Sequence, residues 1–263
     1  MRATTLSTLR SLSTLSTLST LSTLSTLRME NARLGDPQES TAARSPHSTP
    51  QAPCLAVSGL AGRYGSRTVF AGVEFSLSPG DCLIVAGSNG SGKSTLLRIL
   101  SGLVRPHRGS VCLSVPNNAP LTFGPSMGDP SLMGRWVGLA APDLELYGEL
   151  SAEENLSFFA RLRGIVWDQE KSLKSLAWAG LEGRSGQRLS TFSSGMKQRM
   201  RLLFAIQNRP PLLLLDEPGS NLDDAGRAVV ARIVEQQLEH GMVVLATNDD
   251  AEMRYGEQVL RLS

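Results

Sequence analysis

The sequence predicts an α/β fold in which buried strands alternate with helices, with a small antiparallel β portion near its start and a helical insertion in its middle. Three observations predict it. Cys82-Leu83-Ile84-Val85-Ala86 is a short apolar run with the character of a buried strand, and Thr95 to Leu100 reads as a helix, with a glycine-rich turn between them. Two further apolar runs, Leu212 to Leu215 and Met242 to Thr247, have the length of core strands. Between these, Ser151-Ala152-Glu153-Glu154 is a capping-box start, and Leu156, Phe159 and Leu162 follow it at helical spacing.

The turn in the first observation, Gly87-Ser88-Asn89-Gly90-Ser91-Gly92-Lys93-Ser94, fits G-x-x-x-x-G-K-[ST] at every fixed position. Its glycines let successive N–H groups turn inward as an anion nest, and the following helix N-terminus adds partial positive charge. Such a cradle suits the α- and β-phosphates of a nucleotide. Lys93 is expected to reach the β- and γ-phosphates, and the Ser94 hydroxyl to bind the Mg2+ that bridges them. Residues 87–94 with Thr95 are therefore the expected loop for the nucleotide's phosphates.

Composition narrows the partners. The 263-residue chain is 41% hydrophobic, enough for a sizeable core. Its formal charge is +2, but residues 1–53 hold five arginines and three acids, which leaves 21 basic and 21 acidic residues for the remainder. A neutral folded part lacks the basic surface of a nucleic-acid binder, so no nucleic-acid partner is expected. Cys54, Cys82 and Cys112 have no metal-like spacing and lie in or beside strand-like runs, so buried, reduced thiols in a cytosolic compartment are expected. No apolar run approaches the length of about 18 residues that a membrane span requires.

From Leu6 to Leu27 leucine recurs at every third position, a period that fits neither helix nor strand. Disorder is expected, as a dispensable leader ahead of Met29. The serine- and threonine-rich, acid-free first 29 residues also fit an organellar transit peptide. Residues 30–53 are polar and carry Pro37, Pro46, Pro50 and Pro53, a linker by composition. The expected division is thus leader and linker over 1–53 and one folded domain over 54–263.

The domain opens with a strand candidate, Cys54 to Val57, and a second, Val73 to Leu77, alternates apolar and polar residues like a half-exposed antiparallel strand. Between them lies Tyr64, either a packed turn aromatic or a flat surface for an adenine ring. Gly102-Leu103-Val104-Arg105-Pro106 ends the helix after the phosphate loop, and Val111 to Val115 is a further strand. Residues 116–135, rich in proline and glycine, read as a long loop. The helical insertion, about residues 144–205, continues through Leu173, Leu176 and Leu181. Ser193-Ser194-Gly195-Met196 then opens another helix, along which Met200, Leu203, Phe204 and Ile206 keep the helical period. A serine-glycine helix start is a second potential anion site.

Leu212 to Leu215 feeds directly into Asp216 and Glu217. Acids at the end of a buried strand are costly unless they hold a metal or do chemistry. Asp216 is expected to bind Mg2+, and Glu217 to polarise the water that attacks the γ-phosphate. Met242 to Thr247 ends similarly in polar residues, Asn248-Asp249-Asp250.

Together these residues resemble the nucleotide-binding domain of ATP-binding-cassette (ABC) transporters over almost all of residues 54–263. That resemblance implies a phosphate-loop NTPase with a RecA-like core. Tyr64 falls at the family's adenine-stacking aromatic, residues 87–94 at its phosphate loop, and Ser193, Ser194, Gly195 and Met196 at its signature motif. Asp216 and Glu217 fall at its Mg2+ aspartate and catalytic glutamate, and Ser220-Asn221-Leu222-Asp223 at the loop that links two such domains. The resemblance implies ATP and Mg2+ as ligands and a head-to-tail dimer with a second copy or a homologous ABC subunit, in which the signature serine and glycine of one subunit close over the γ-phosphate held by the other.

Three positions depart from the family pattern. Pro142 stands where a glutamine usually touches Mg2+, Asn248 where a histidine contacts the γ-phosphate, and the signature reads Ser-Ser-Gly-Met rather than Ser-Gly-Gly-Gln. ATP binding is expected to survive all three, while hydrolysis is expected to slow. The size of residues 54–263 leaves no room for a regulatory domain, and the stretches Gly72 to Leu103 and Leu146 to Leu162 resemble the heme-exporter-like ATPase of c-type cytochrome maturation. The expected function is ATP hydrolysis that drives export through separate membrane subunits, on the cytoplasmic face of the membrane, with residues 144–165 as their contact. The rivals are the same machine with a drug, lipid or peptide cargo, and a non-transport ABC protein acting as an ATP-gated clamp.

Overall fold

The computed structural model describes residues 52–263, so the expected leader and all but the last two residues of the linker lie outside the described residues. Two sheets form the domain. The first is antiparallel, in the order β2-β1-β4-β5, built from β1 (Cys54–Tyr64), β2 (Arg67–Leu77), β4 (Arg108–Ser114) and β5 (Leu121–Phe123). The second is parallel, in the order β6-β7-β8-β3-β9, built from β3 (Cys82–Ala86), β6 (Val137–Ala140), β7 (Leu212–Asp216), β8 (Met242–Ala246) and β9 (Gln258–Arg261).

Alternation sets the face of the antiparallel sheet that packs inward. Leu55 and Val57 of β1 lie opposite Leu113 and Val111 of β4, and all four are buried. Cys54 and Cys112 fall on the other parity and are only partly buried. Of the three cysteines expected to be buried, Cys82 alone is, because it sits in a strand covered on both sides; burial pushes its thiol up to about 12.

β3, β6, β7 and β8 are buried at every residue, as befits a parallel sheet covered on both faces. Alternate residues serve opposite cores. Leu83, Val85, Leu212, Leu214 and Val244 pack with α1 (Lys93–Leu100) and the inner face of the antiparallel sheet. Ile84, Leu213, Leu215, Val243 and Leu245 pack with α4 (Ser194–Ile206) and α5 (Asp224–Leu238). Each fully buried leucine contributes about 1.5–3 kcal/mol.

The expected long loop over 116–135 is corrected in part. β5 adds an edge strand in register with β4, Val111 opposite Phe123, and Pro130–Arg135 forms a 3-10 turn. Its shape is fixed from outside, by the Arg105 guanidinium, which donates to the carbonyls of Gly124, Met127 and Gly128.

The helical portion contains α2 (Ala152–Leu162) and α3 (Gln169–Trp178), followed by α4. The capping box is present: the Ser151 hydroxyl accepts from Glu154 N, and the Glu154 carboxylate accepts from Ser151 N. Of the leucines that recur through the insertion, Leu156, Leu176 and Leu181 are buried, while Leu162 and Leu173 are exposed. α2 buries Ala152, Asn155, Leu156 and Ala160 and α3 buries Ser172 and Leu176, a narrower stripe than the leucine pattern.

Candidate nucleotide-binding site

The site lies at the carboxyl ends of three adjacent strands. β3 pairs with β8, Val85 opposite Ala246, and β7 pairs with β8, Asp216 opposite Ala246. The loop after β3, the acids that end β7 and the turn after β8 therefore emerge side by side, at the edge where open parallel sheets bind ligands.

The phosphate loop runs from Gly87 to Gly92 and enters α1 at Lys93. A Cβ at Gly87 would collide with the Leu262 carbonyl, and Gly92 has φ 104 with Val69 and Phe70 of β2 against it. The antiparallel sheet thus braces the loop from outside. Ser88, Asn89 and Gly90 are exposed. The Ser91 hydroxyl is buried with no hydrogen-bond partner. Lys93 is only 6% exposed and folds back over the loop, its Nζ donating to Gly87 O at 2.8 Å. A buried ammonium held by carbonyls alone is poised for an anion.

Ser94 and Thr95 follow in the first turn of α1, both partly buried. Asp216, 4% exposed, sits across from them. Burial raises its pKa above the ordinary carboxylate value; a hydrogen bond from Ser94 and the charge of Lys93 pull it down, and the charges of Glu217 and Asp143 push it up. One carboxylate and one hydroxyl make a hard-oxygen donor pair that fits Mg2+ completed by phosphate and water. Among the described residues no three His, Cys, Asp or Glu gather to hold a metal without such help.

Glu217 has φ 47, a left-handed conformation that turns the chain sharply away from β7, and its N–H donates to Ala246 O at 2.8 Å. It is half-buried beside Asp216. A strained acid at a strand end is a recurrent feature of functional sites. Asn248 comes from the far side: its Nδ2 donates to Asn89 Oδ1 at 3.4 Å, joining the turn after β8 to the phosphate loop. Residues 87–94, Asp216, Glu217 and Asn248 are thus brought together.

Tyr64 and the signature segment are not part of that cluster. Tyr64 ends β1 at the tip of the β1–β2 hairpin, opposite Arg67, and is 73% exposed. It is a free aromatic face. Ser193 caps α4, accepting from Met196 N, and both Ser193 and Ser194 are exposed. Met196 packs into the core beneath the helix. From here the contacts run to residues 217–223: Gly195 lies against Asn221 O, Gln198 Nε2 donates to Pro218 O, and Arg199 pairs with Asp223 at 2.5 Å. Pro142 follows β6 as an exposed residue without a ligating side chain, and its neighbour Asp143 pairs with Arg98 of α1 at 2.5 Å.

Sequence reasoning missed Gln198, Arg199, Thr247 and Glu252. The only signal for the last was an acid four residues past Asn248. Chemically, the cluster can hold a polyphosphate against a buried ammonium, a metal against a carboxylate and hydroxyl, and a water against Glu217.

The comparisons agree with that chemistry. A family model described as ABC transporter matches residues 70–220. A cytochrome c biogenesis ATP-binding export protein of Cupriavidus necator is 38% identical over 80% of this chain and 88% of its own length. The linearmycin resistance ATP-binding protein of Bacillus subtilis is 32% identical over 70% of this chain, which spans 58% of that protein. A solved structure described as the ATP-binding subunit of an ABC transporter superposes with a TM-score of 0.67 at 28% identity, over 79% of this chain and 85% of that one. With a family model over more than half its length and the nucleotide cradle in place, the chain belongs to the ABC transporter family, as an ATP-binding and ATP-hydrolysing subunit.

Proposed function

We propose that this subunit drives export through membrane subunits on separate chains, at the cytoplasmic face of the membrane, and serves the heme-exporter-like machinery of c-type cytochrome biogenesis. The cytochrome c biogenesis export proteins of Cupriavidus necator and Methylococcus capsulatus, 38% and 36% identical and aligned over 88% and 91% of their lengths, support that cargo. A second cargo class has its own support: the Bacillus subtilis relative is a linearmycin resistance protein and a Paraburkholderia xenovorans relative exports Nod factor, each at 32% identity.

The observation that carries the hydrolytic part is the convergence of Lys93, Ser94, Asp216, Glu217 and Asn248 at the ends of β3, β7 and β8. In this reading the phosphate loop and Thr95 hold ATP, Tyr64 stacks on the adenine, and Ser94 and Asp216 hold Mg2+. Glu217 accepts a proton from the attacking water. Mg2+, when bound, neutralises charge on the β- and γ-phosphates. Asn248 donates a hydrogen bond towards the γ-phosphate in place of an ionisable ring. Ser193, Ser194, Gly195 and Met196 serve the ATP held by a second copy, arranged head to tail; a dimeric post-hydrolysis cassette bound to ADP and Pi has the same fold, with a TM-score of 0.67 at 21% identity.

Residues 144–165 provide the membrane-subunit contact. A cavity of about 410 Å3 is lined by Leu144, Leu146, Tyr147 and Phe159 of this stretch together with Phe204 of α4, and Tyr147, Phe158 and Leu162 of the stretch are exposed.

The test is ATP turnover by the full chain, with Mg-ATP binding measured alongside. The parent hydrolyses ATP, Glu217→Gln binds it with turnover reduced about 10²–10⁴-fold, the span of a lost general base, and Asn248→His turns over at least as fast as the parent. A parent that binds without turnover, even with its membrane partner, leaves an ATP-gated clamp. The cargo is tested by restoring holocytochrome c in a strain deleted for its own cytochrome c biogenesis export ATPase.

A further inference from the structure

Glu252 is a buried carboxylate near the site that the proposed chemistry does not use. It lies in the short helix α6 (Asp250–Met253) and is 5% exposed. Its two oxygens face two different loops. Oε1 accepts from Gly219 N at 2.7 Å, in the loop that follows Glu217. Oε2 accepts from the Thr247 hydroxyl at 2.5 Å, in the residue before Asn248. Thr247 Oγ1 in turn accepts from Asp249 N at 2.9 Å. The approach at Gly219 is so close that a Cβ there would collide with Glu252 Oε1.

Among the described residues no cation forms an ion pair with this carboxylate. Arg227, the nearest, is paired with Asp249 at 2.6 Å. Burial pushes the Glu252 pKa up, and the bonds from Thr247 and Gly219 hold it down. A buried carboxylate in such a place is costly and is tolerated because both oxygens are bonded.

We propose that Glu252 is a positioning residue that joins the Glu217 loop to the Asn248 turn, so that the two sides of the γ-phosphate position move as one piece. The hydrogen bonds continue beyond it in both directions. On one side Pro218 O is held by Gln198 and Asp223 by Arg199, which ties the loop to the exposed start of α4. On the other side Asn248 reaches Asn89 in the phosphate loop. Glu252 is therefore the junction of a hydrogen-bonded path that crosses the site from the signature helix to the phosphate loop. Proximity alone does not make a coupled path; two arms that respond to one perturbation do.

The experiment is residue-resolved amide hydrogen exchange on the full chain, comparing the parent with Thr247→Val, Glu252→Ala and Glu252→Gln. Thr247 and Gly219 share no hydrogen bond; each bonds to a different oxygen of Glu252. The proposal expects Thr247→Val to speed exchange of the Gly219 amide at least tenfold, while the Leu214 amide in β7 stays within twofold of the parent. Glu252→Ala speeds both Gly219 and Asp249, and Glu252→Gln, whose Oε1 still accepts, keeps Gly219 within threefold. A Gly219 amide unchanged within twofold in Thr247→Val overturns the proposal, and that arm decides even if Glu252→Ala fails to fold. The linkage has a further consequence that rests on the ATPase reading: Thr247→Val lowers kcat at least fivefold with KM unchanged. A parent without turnover would overturn that reading, while the exchange arms would still decide the linkage.

Discussion

Asp216 carries a carboxylate to the end of a fully buried strand, where desolvation raises its pKa above the ordinary 3.8 and Lys93 compensates only in part. A raised acid pKa means that the folded state disfavours the charge. The resulting destabilisation is absent below pH 3.8, sets in as pH rises through the window between the unfolded and folded values, and is complete above the folded one. Asp216→Asn should therefore stabilise the nucleotide-free protein at neutral pH by about 1 kcal/mol, or about 2–4 °C in midpoint, a gain that vanishes towards low pH. The same variant should lose the Mg2+-dependent part of its ATP affinity, measured by titration with and without the metal. Gly92 makes a complementary prediction. With φ 104 and Phe70 Cδ1 at 2.9 Å from where a Cβ would stand, Gly92→Ala should cost about 2–4 kcal/mol in denaturant unfolding and abolish nucleotide binding.

At the scale of elements, the start of α2 is held by more than its capping box. Asn155, almost fully buried, accepts from Tyr147 N and donates to the carbonyls of Tyr147, Leu150 and Ser151. It shapes the 147–151 turn that walls the aromatic cavity. Ser151→Ala should cost about 1 kcal/mol, the usual value of an N-cap. Asn155→Ala should cost more, about 2–4 kcal/mol, because it leaves several backbone groups without partners. Near-ultraviolet circular dichroism of the Tyr147, Phe158, Phe159 and Phe204 cluster should weaken with it, while ATP binding at the phosphate loop stays within about threefold. The capping box was legible because its residues are three apart. Asn155 was not, because its partners are chosen by a turn that has no periodic pattern.

For the whole molecule, Ser193 and Ser194 of the signature segment face solvent and lie outside the cluster of phosphate loop, Asp216, Glu217 and Asn248 in the same copy. The proposed dimer, implied by the family, would bring those serines to the nucleotide of a second subunit. Light scattering should find Glu217→Gln dimeric with Mg-ATP and monomeric without nucleotide, and Lys93→Ala monomeric in both conditions. If Glu217→Gln stays monomeric with ATP bound, the head-to-tail arrangement is wrong.

Local chemistry determined much by itself. The phosphate loop, the strand that ends in Asp216 and Glu217, and the Ser151 cap are written in neighbouring residues, and an α/β core with a glycine cradle follows from them. The tertiary structure alone decided what depends on pairing across the chain. β5 exists because β4 offers an edge, not because Leu121 to Phe123 carry a pattern. Cys54 and Cys112 are part-exposed because parity in a paired sheet, not local hydrophobicity, assigns their face. Glu252 became visible only when β7 and β8 ran side by side and set Gly219 and Thr247 within reach of one carboxylate. A buried polar group is defined by its partners, and those partners lie 33 and 5 residues away in the chain.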